Sequence, residues 1–193
     1  MSRKVHRVPY HLDSKGIKRL PFEEIVAILR GADELIMTGG RSLLSKILKG
    51  SREKRVLELE LTECPVYGYY KHLTLAKILV RIDWVIINGY LQIQYDSRLP
   101  LLQYSPKGWE IERETFAEEL LKGFDEMIAG TSEHFDMNYL KDRNRGMILL
   151  LLDKVRETGD RKYIPLLQAW EKIDYKKVQK RIRHAIAKLN ESK

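Results

Sequence analysis

A chain of 193 residues, 44% hydrophobic and 32% charged, is long enough for one domain or two small ones and apolar enough to bury a core. Its formal net charge of +8 and pI of about 9.4 favour a polyanionic partner without requiring one. A single cysteine, Cys64, excludes an internal disulfide framework and a cysteine-based zinc cluster.

Met1-Ser2-Arg3-Lys4 is followed by no apolar signal stretch, and the longest apolar run, Met147 to Leu152, is far too short to span a bilayer. The expectation is a soluble, cytoplasmic protein.

Residues 1–20 carry Arg3, Lys4, Arg7, Lys15, Lys18 and Arg19 without periodicity, and read as a basic arm. Two readings stand for it, a solvated tail and a nucleic-acid-contacting segment. Pro21 and Phe22 open the first helix, with Phe22, Ile25, Leu29, Ala32 and Ile36 at helical spacing and Gly39-Gly40 as its stop. A short second helix covers 41–49, with Leu43, Leu44, Ile47 and Leu48 inward.

Ser51 is a plausible N-cap for a helix over 52–59. That helix starts with three basic residues in its first four, an arrangement its own dipole disfavours, which points to an anion arriving from outside. Arg41, Lys46, Lys49, Arg52, Lys54 and Arg55 put six positive charges into fifteen residues, against Glu53 alone. A solvated basic face is the alternative reading.

Thr74 caps the main helix, 75–88, whose buried stripe is Ile78, Leu79, Ile82, Val85 and Ile86. Trp84 reads as core rather than as a stacking platform. Tyr90 to Tyr95 alternates as a strand, Asp96 to Pro100 is the turn, and Leu101 to Ser105 returns, with Lys107-Gly108 ending the ribbon. Thr115 and Glu118 fit a capping box at the start of a further helix. Residues 130–133 read as a linker. Beyond them come helices over about 142–157, one capped by Asp160, and a last one capped by Asp174. The last helix buries Val178, Ile182, Ala185, Ile186 and Leu189 and shows a basic face that includes Lys180 and Arg183.

Helix, turn, helix and ribbon make the outline of a winged helix, so the fold class expected is mainly α with a small β-ribbon, followed by a helical segment. The block from about Leu43 to Trp109 resembles the RQC domain, the winged helix of RecQ-family DNA helicases. The resemblance rests on Leu48-Lys49-Gly50-Ser51, Tyr67-Gly68, Trp84 with Asn88-Gly89-Tyr90-Leu91, and Leu102-Gln103-Tyr104-Ser105-Pro106-Lys107-Gly108. It is most like small bacterial proteins in which such a domain stands alone. Separately, Tyr163 to Leu189 resembles a single HEAT repeat. The organisation expected is a basic arm over 1–20, an RQC-like domain over 21–129 and a HEAT-like segment over 138–193.

The resemblance implies binding of duplex DNA, duplex ends or junctions, with Lys49, Ser51 and Arg55 on backbone phosphates. It also implies a wing tip at Ser97, Arg98, Leu99 and Pro100, which carries no aromatic residue and so weakens any expectation of strand separation. The cationic candidates beside these are Arg52, Lys54, Lys71, Arg98, Lys180 and Arg183. A helicase or other repair protein is the partner implied, in repair, recombination or replication, with nucleoid association in the cytoplasm.

The sequence holds no G-x-x-x-x-G-K-[ST] phosphate loop and no four-cysteine zinc site. No catalytic residue, metal, cofactor, membrane or small-molecule substrate is expected. His134 and Asp136 read as surface decoration, and Cys64, before a proline, as a packed thiol. A reading from another class, a protein-interaction adaptor using the winged-helix and HEAT-like surfaces, stays open.

Overall fold

A computed structural model of the chain describes residues 6–130, 135–141 and 143–191. The chain forms two compact units, the first ending at Glu112 and the second beginning at Arg113. Arg3 and Lys4 of the arm, residues 131–133 of the expected linker and His134 lie outside the described residues.

The first unit holds α1 (Phe22–Asp33), α2 (Arg41–Lys49), α3 (Lys54–Glu58), α4 (Leu75–Ile87), β1 (Leu91–Asp96) and β2 (Leu99–Tyr104). Its core is largely the expected one, although Leu79 of the α4 stripe is only half-buried. Ile28, Leu29, Leu44, Ile47, Leu48, Ile78, Ile82 and Val85 are all fully buried, because apolar residues three and four apart give α1, α2 and α4 one face each. Trp84 is buried and stacks on Tyr90 at 6.1 Å, so it is core as expected.

The strands pair antiparallel from Leu91↔Tyr104 to Asp96↔Leu99. The tight turn places Ser97 at φ +50°. The other edge of β2 is also used, since Met37 N–H donates to the Leu102 carbonyl and Leu102 N–H to the Gly39 carbonyl, both at 2.9 Å.

Several expectations need correction. The first helix stops at Asp33 rather than reaching Ile36, because residues 34–38 turn back to reach β2. Phe22 is 61% exposed and not part of the stripe. Ser51 is not a helix cap: Glu53 stands at that position with no side-chain cap hydrogen bond, and the Ser51 hydroxyl accepts the Glu53 N–H at 3.3 Å. The helix that follows has five residues rather than eight.

The strands run 91–96 and 99–104, so the turn is tighter than expected. Lys107-Gly108 does not end the ribbon but begins a 24-residue helix, α5 (Pro106–Ala129). Thr115 and Glu118 lie inside that helix and start nothing. The true start signal is Ser105-Pro106: the Ser105 hydroxyl accepts the Gly108 N–H at 3.0 Å, and proline suits the first helical position.

The arm, too, is more ordered than a solvated tail. Val8 N–H donates to the Arg98 carbonyl at 2.9 Å, the Tyr95 hydroxyl to the Val8 carbonyl at 2.7 Å, and the Arg98 Nε to the His6 carbonyl at 3.2 Å. Arg7 lies over the Tyr95 ring. Residues 6–10 of the arm are strapped along the wing, while Asp13 and Leu20 lie against the helical core.

The second unit contains the rest of α5, then α6 (Arg145–Thr158), α7 (Ile164–Glu171) and α8 (Lys176–Glu191). Asn144 caps α6 by accepting the Gly146 N–H at 2.8 Å. Asp160 caps a single 3-10 turn ahead of α7 rather than α7 itself. Asp174 accepts the Tyr175 N–H at 2.6 Å just before α8, and its other oxygen accepts the Trp170 indole N–H at 2.7 Å. Leu166, Leu167, Trp170, Val178 and Ile182 are buried where α7 and α8 pack, while Ile186 is half-buried. Among the described residues no helix is long and apolar enough to cross a membrane.

Candidate nucleic-acid interface

The end of α2 is built by a glycine. Gly50 adopts φ +76°, which lets its N–H reach the Ile47 carbonyl and the Ser51 N–H reach the Lys46 carbonyl, both at 2.9 Å. This cap packs on a second left-handed glycine, Gly68 at φ +74°. A Cβ on Gly50 would stand 3.1 Å from the Gly68 Cα, so only glycine allows the approach. Gly68 N–H donates to Ile47 at 2.9 Å and Tyr70 N–H to Leu48 at 2.7 Å. The Tyr67 hydroxyl donates to the Ser51 carbonyl at 3.0 Å. The loop after α2 and the segment 67–71 are thus one interlocked piece of backbone.

Lys49, Ser51, Arg52 and Lys71 sit on or at the edge of that piece, and Lys54 and Arg55 follow in α3. Lys49 ends α2, and its Nζ donates to the Lys71 carbonyl at 2.6 Å. That bond fixes its stem and leaves two of its three donors for a ligand. Ser51 is half-buried, with its hydroxyl used as an acceptor. Lys71 is exposed. Lys54 pairs with Glu58 across one helical turn at 3.5 Å, a fully wet pair of little energetic weight. Arg52 and Arg55 are exposed and have no ion pair among the described residues. The amides of Arg52, Lys54 and Arg55 have no acceptor there either.

Two other cations of the sequence cluster are already engaged. Lys46 pairs with Glu53 at 2.5 Å. Arg41 pairs with Asp83 at 2.5 Å, and Asp83 also accepts the Asp13 N–H at 3.0 Å. Asp83 is buried in α4, so Arg41 neutralises a core charge rather than serving the surface.

Arg55 also borders a groove of about 340 Å³ whose other walls are the arm residues Val8–Tyr10, the start of α2 and the wing residues Leu99–Leu101. Leu99 is 57% exposed at its mouth. Ser97 and Arg98 form the wing turn, with Arg98 tied to His6 and Val8 as above. The groove joins Arg55 to the wing tip, a proximity that charge counting did not reveal. Tyr10, which lies 5.9 Å from the Tyr95 ring, was missed for the same reason: an extended arm has no period to read.

Lys180 and Arg183 belong to α8 in the second unit. Lys180 is exposed, and Arg183 donates to Glu171 at 2.6 Å. Among the described residues no group of three or more His, Cys, Asp and Glu could hold a metal ion, and Cys64 is buried.

A helix-turn-helix closed by a two-stranded wing defines the first unit as a winged helix. The family model of the RQC domain matches residues 19–121, a little over half of the chain, and the chain belongs to the RQC domain family. It is similar to the ATP-dependent DNA helicase RecQ of Bacillus subtilis (strain 168), with 30% identity over 69 residues. That stretch is 36% of this chain and 12% of the helicase, so the chain spans only a small part of the curated relative it matches. No solved structure matches the chain.

Proposed function

We propose that this protein binds duplex DNA, including duplex ends and junctions, through backbone phosphates held at the loop between α2 and α3. The observation that carries the reading is the placement of two exposed guanidinium groups, Arg52 and Arg55, with no ion pair among the described residues, beside three amides with no acceptor there, where a loop fixed by backbone hydrogen bonds runs into α3. Guanidinium forks and amides without an acceptor are the donors that phosphate oxygens take. Lys49 and Lys71 would flank the phosphates. Ser51 would contribute through its hydroxyl proton, since its oxygen already serves Glu53.

Such contacts read backbone rather than bases, so affinity should come with little sequence preference. The wing would stand beside the duplex through Arg98, with Leu99 and Pro100 presenting an apolar edge to a terminal pair. Lys180 and Arg183 would extend the footprint from the second unit. The reading is of a binding protein rather than an enzyme, acting in repair, recombination or replication alongside a helicase or another repair protein.

The test is a fluorescence titration of short duplexes of unrelated sequence across a salt series. Arg52→Ala, Arg55→Ala and Lys49→Ala should each weaken binding to all duplexes alike. Each should lower the salt slope by about 0.9 per lost phosphate contact. Wild-type affinity and slope in all three variants would overturn the reading.

A further inference from the structure

In the second unit a cavity of about 500 Å³ opens between the 3-10 turn at 138–140, the start of α6 and the start of α8. Its wall is apolar, formed by Leu140, Ile148, Val178 and the ring of Tyr175. Its rim is basic, formed by Arg143, Arg145, Lys176 and Lys177. Asp174 is the one acidic residue among the described lining residues, and both its oxygens are engaged, by the Trp170 indole and by the Tyr175 amide.

The rim charges differ from several other cations of this unit, although Lys172, Lys180 and Arg181 likewise have no ion pair among the described residues. Lys154 holds Glu114 and Glu118, Lys162 holds Asp125, Arg156 holds Asp153 and Arg183 holds Glu171. Arg145, Lys176 and Lys177 have no ion pair among the described residues. They also sit in the first turns of α6 and α8, where the helix dipole disfavours positive charge. Around an apolar cavity, these three cations at two helix starts have no ion pair among the described residues to offset the unfavourable dipole.

We infer that this cavity is a docking site for an acidic peptide segment of a partner protein, carrying an apolar anchor side chain between its carboxylates. The cavity volume falls in the range that buries a large side chain or a small cluster of them. The rim then meets carboxylates on either side of the anchor, and such complementarity fixes orientation and rejects basic partners. A duplex fits the same features poorly: its charged backbone would face the rim but leave the apolar wall beneath it unfilled.

The test uses the full chain and a fluorescein-labelled octapeptide with a central Leu-Phe pair flanked by acidic residues, read by fluorescence anisotropy. Two comparison peptides replace Leu-Phe by Ala-Ala and the acids by lysines. The acidic Leu-Phe peptide should bind, and both comparison peptides should bind at least roughly tenfold more weakly. The double variant Lys176→Glu/Lys177→Glu should lose roughly tenfold in peptide affinity. It should keep its fold, since acidic residues suit the first turn of a helix. A charge-matched variant away from the cavity, Lys122→Glu/Lys172→Glu, should bind the peptide as the parent does.

The inference is overturned if the acidic peptide fails to bind at millimolar concentration, or if the Ala-Ala peptide binds equally well. It is overturned too if the distant variant loses as much as the rim variant. Finally, a short duplex weakened by Lys176→Glu/Lys177→Glu as much as the peptide is would assign the rim to phosphates instead.

Discussion

Replacing Gly50 by alanine tests whether the loop proposed to hold phosphates is fixed as described. Gly50 and Gly89 share nearly the same left-handed conformation, at φ +76° and +73°. A Cβ on Gly89 meets nothing within 4 Å, so Gly89→Ala costs only the conformational penalty, about 1 kcal/mol. A Cβ on Gly50 would stand 3.1 Å from the Gly68 Cα, a backbone atom. That atom cannot retreat freely, because Gly68 and Tyr70 donate to the last carbonyls of α2 at 2.9 and 2.7 Å. Tight packing of this kind adds about 1–2 kcal/mol. Gly50→Ala should therefore lose about 2–3 kcal/mol in total.

Urea denaturation followed by circular dichroism gives both losses from the midpoints at constant slope. The same proteins titrated with a short duplex should separate further. Gly50→Ala moves Lys49 and Ser51 relative to Lys71 and should weaken binding, while Gly89→Ala leaves the loop alone and should not. Equal stability losses within about 0.5 kcal/mol would refute the close approach of the two glycines. Equal affinities would refute its role in positioning the loop.

Other outcomes follow from the same geometry. Gly108→Ala places a Cβ 1.9 Å from the Tyr90 carbonyl oxygen and should cost about 3 kcal/mol, while Gly123→Ala in the same helix meets nothing and should gain about 0.5–1 kcal/mol; thermal unfolding of the two reads the difference. Lys46→Ala should weaken duplex binding less than Arg55→Ala, because Lys46 is already held by Glu53 whereas Arg55 has no ion pair among the described residues. The Tyr163 hydroxyl donates to Asp125 at 2.6 Å, which lowers the Asp125 carboxyl and helps burial push Tyr163 up to about 12. The stability from this bond is present above the carboxyl's unfolded value near ~3.9, and is lost as pH falls through the lower folded value. At the other end it is present below about 10 and lost as pH rises towards about 12. The gap in melting temperature between the parent and Tyr163→Phe should be flat at neutral pH and close at both extremes.

The sequence exposed what repeats and hid what does not. Ile78, Ile82 and Val85 could be placed in the core because helical spacing puts them on one face, and all three are fully buried. Leu91, Ile93 and Tyr95 alternate, and they form β1. Thr115-x-x-Glu118 misled because a capping pattern inside a long helix looks the same as one at its start. The real start lies in Ser105-Pro106, directly after β2. The basic cluster was legible as a count of charges. Which charges stay free was not, because the Lys49 bond to the Lys71 carbonyl spans 22 residues and the Tyr95 bond to Val8 spans 87. No local pattern encodes such pairings.

The net charge of +8 conceals two different arrangements of unpaired cations. In the first unit Arg52 and Arg55 stand beside amides that have no acceptor among the described residues, at an interlocked loop, and only Arg55 reaches the groove by the wing. In the second unit Arg145, Lys176 and Lys177 surround an apolar cavity. Salt separates the two. Phosphate contacts lose affinity steeply as salt rises, because each one releases counterions from the duplex. A peptide held partly by an apolar anchor keeps the anchor's share when its rim pairs are screened. One salt series with both ligands therefore reads the two surfaces independently: the duplex curve should fall steeply while the peptide curve flattens to the level set by the anchor. Parallel curves would mean that a single basic surface serves both ligands, and the separate peptide site would then be lost.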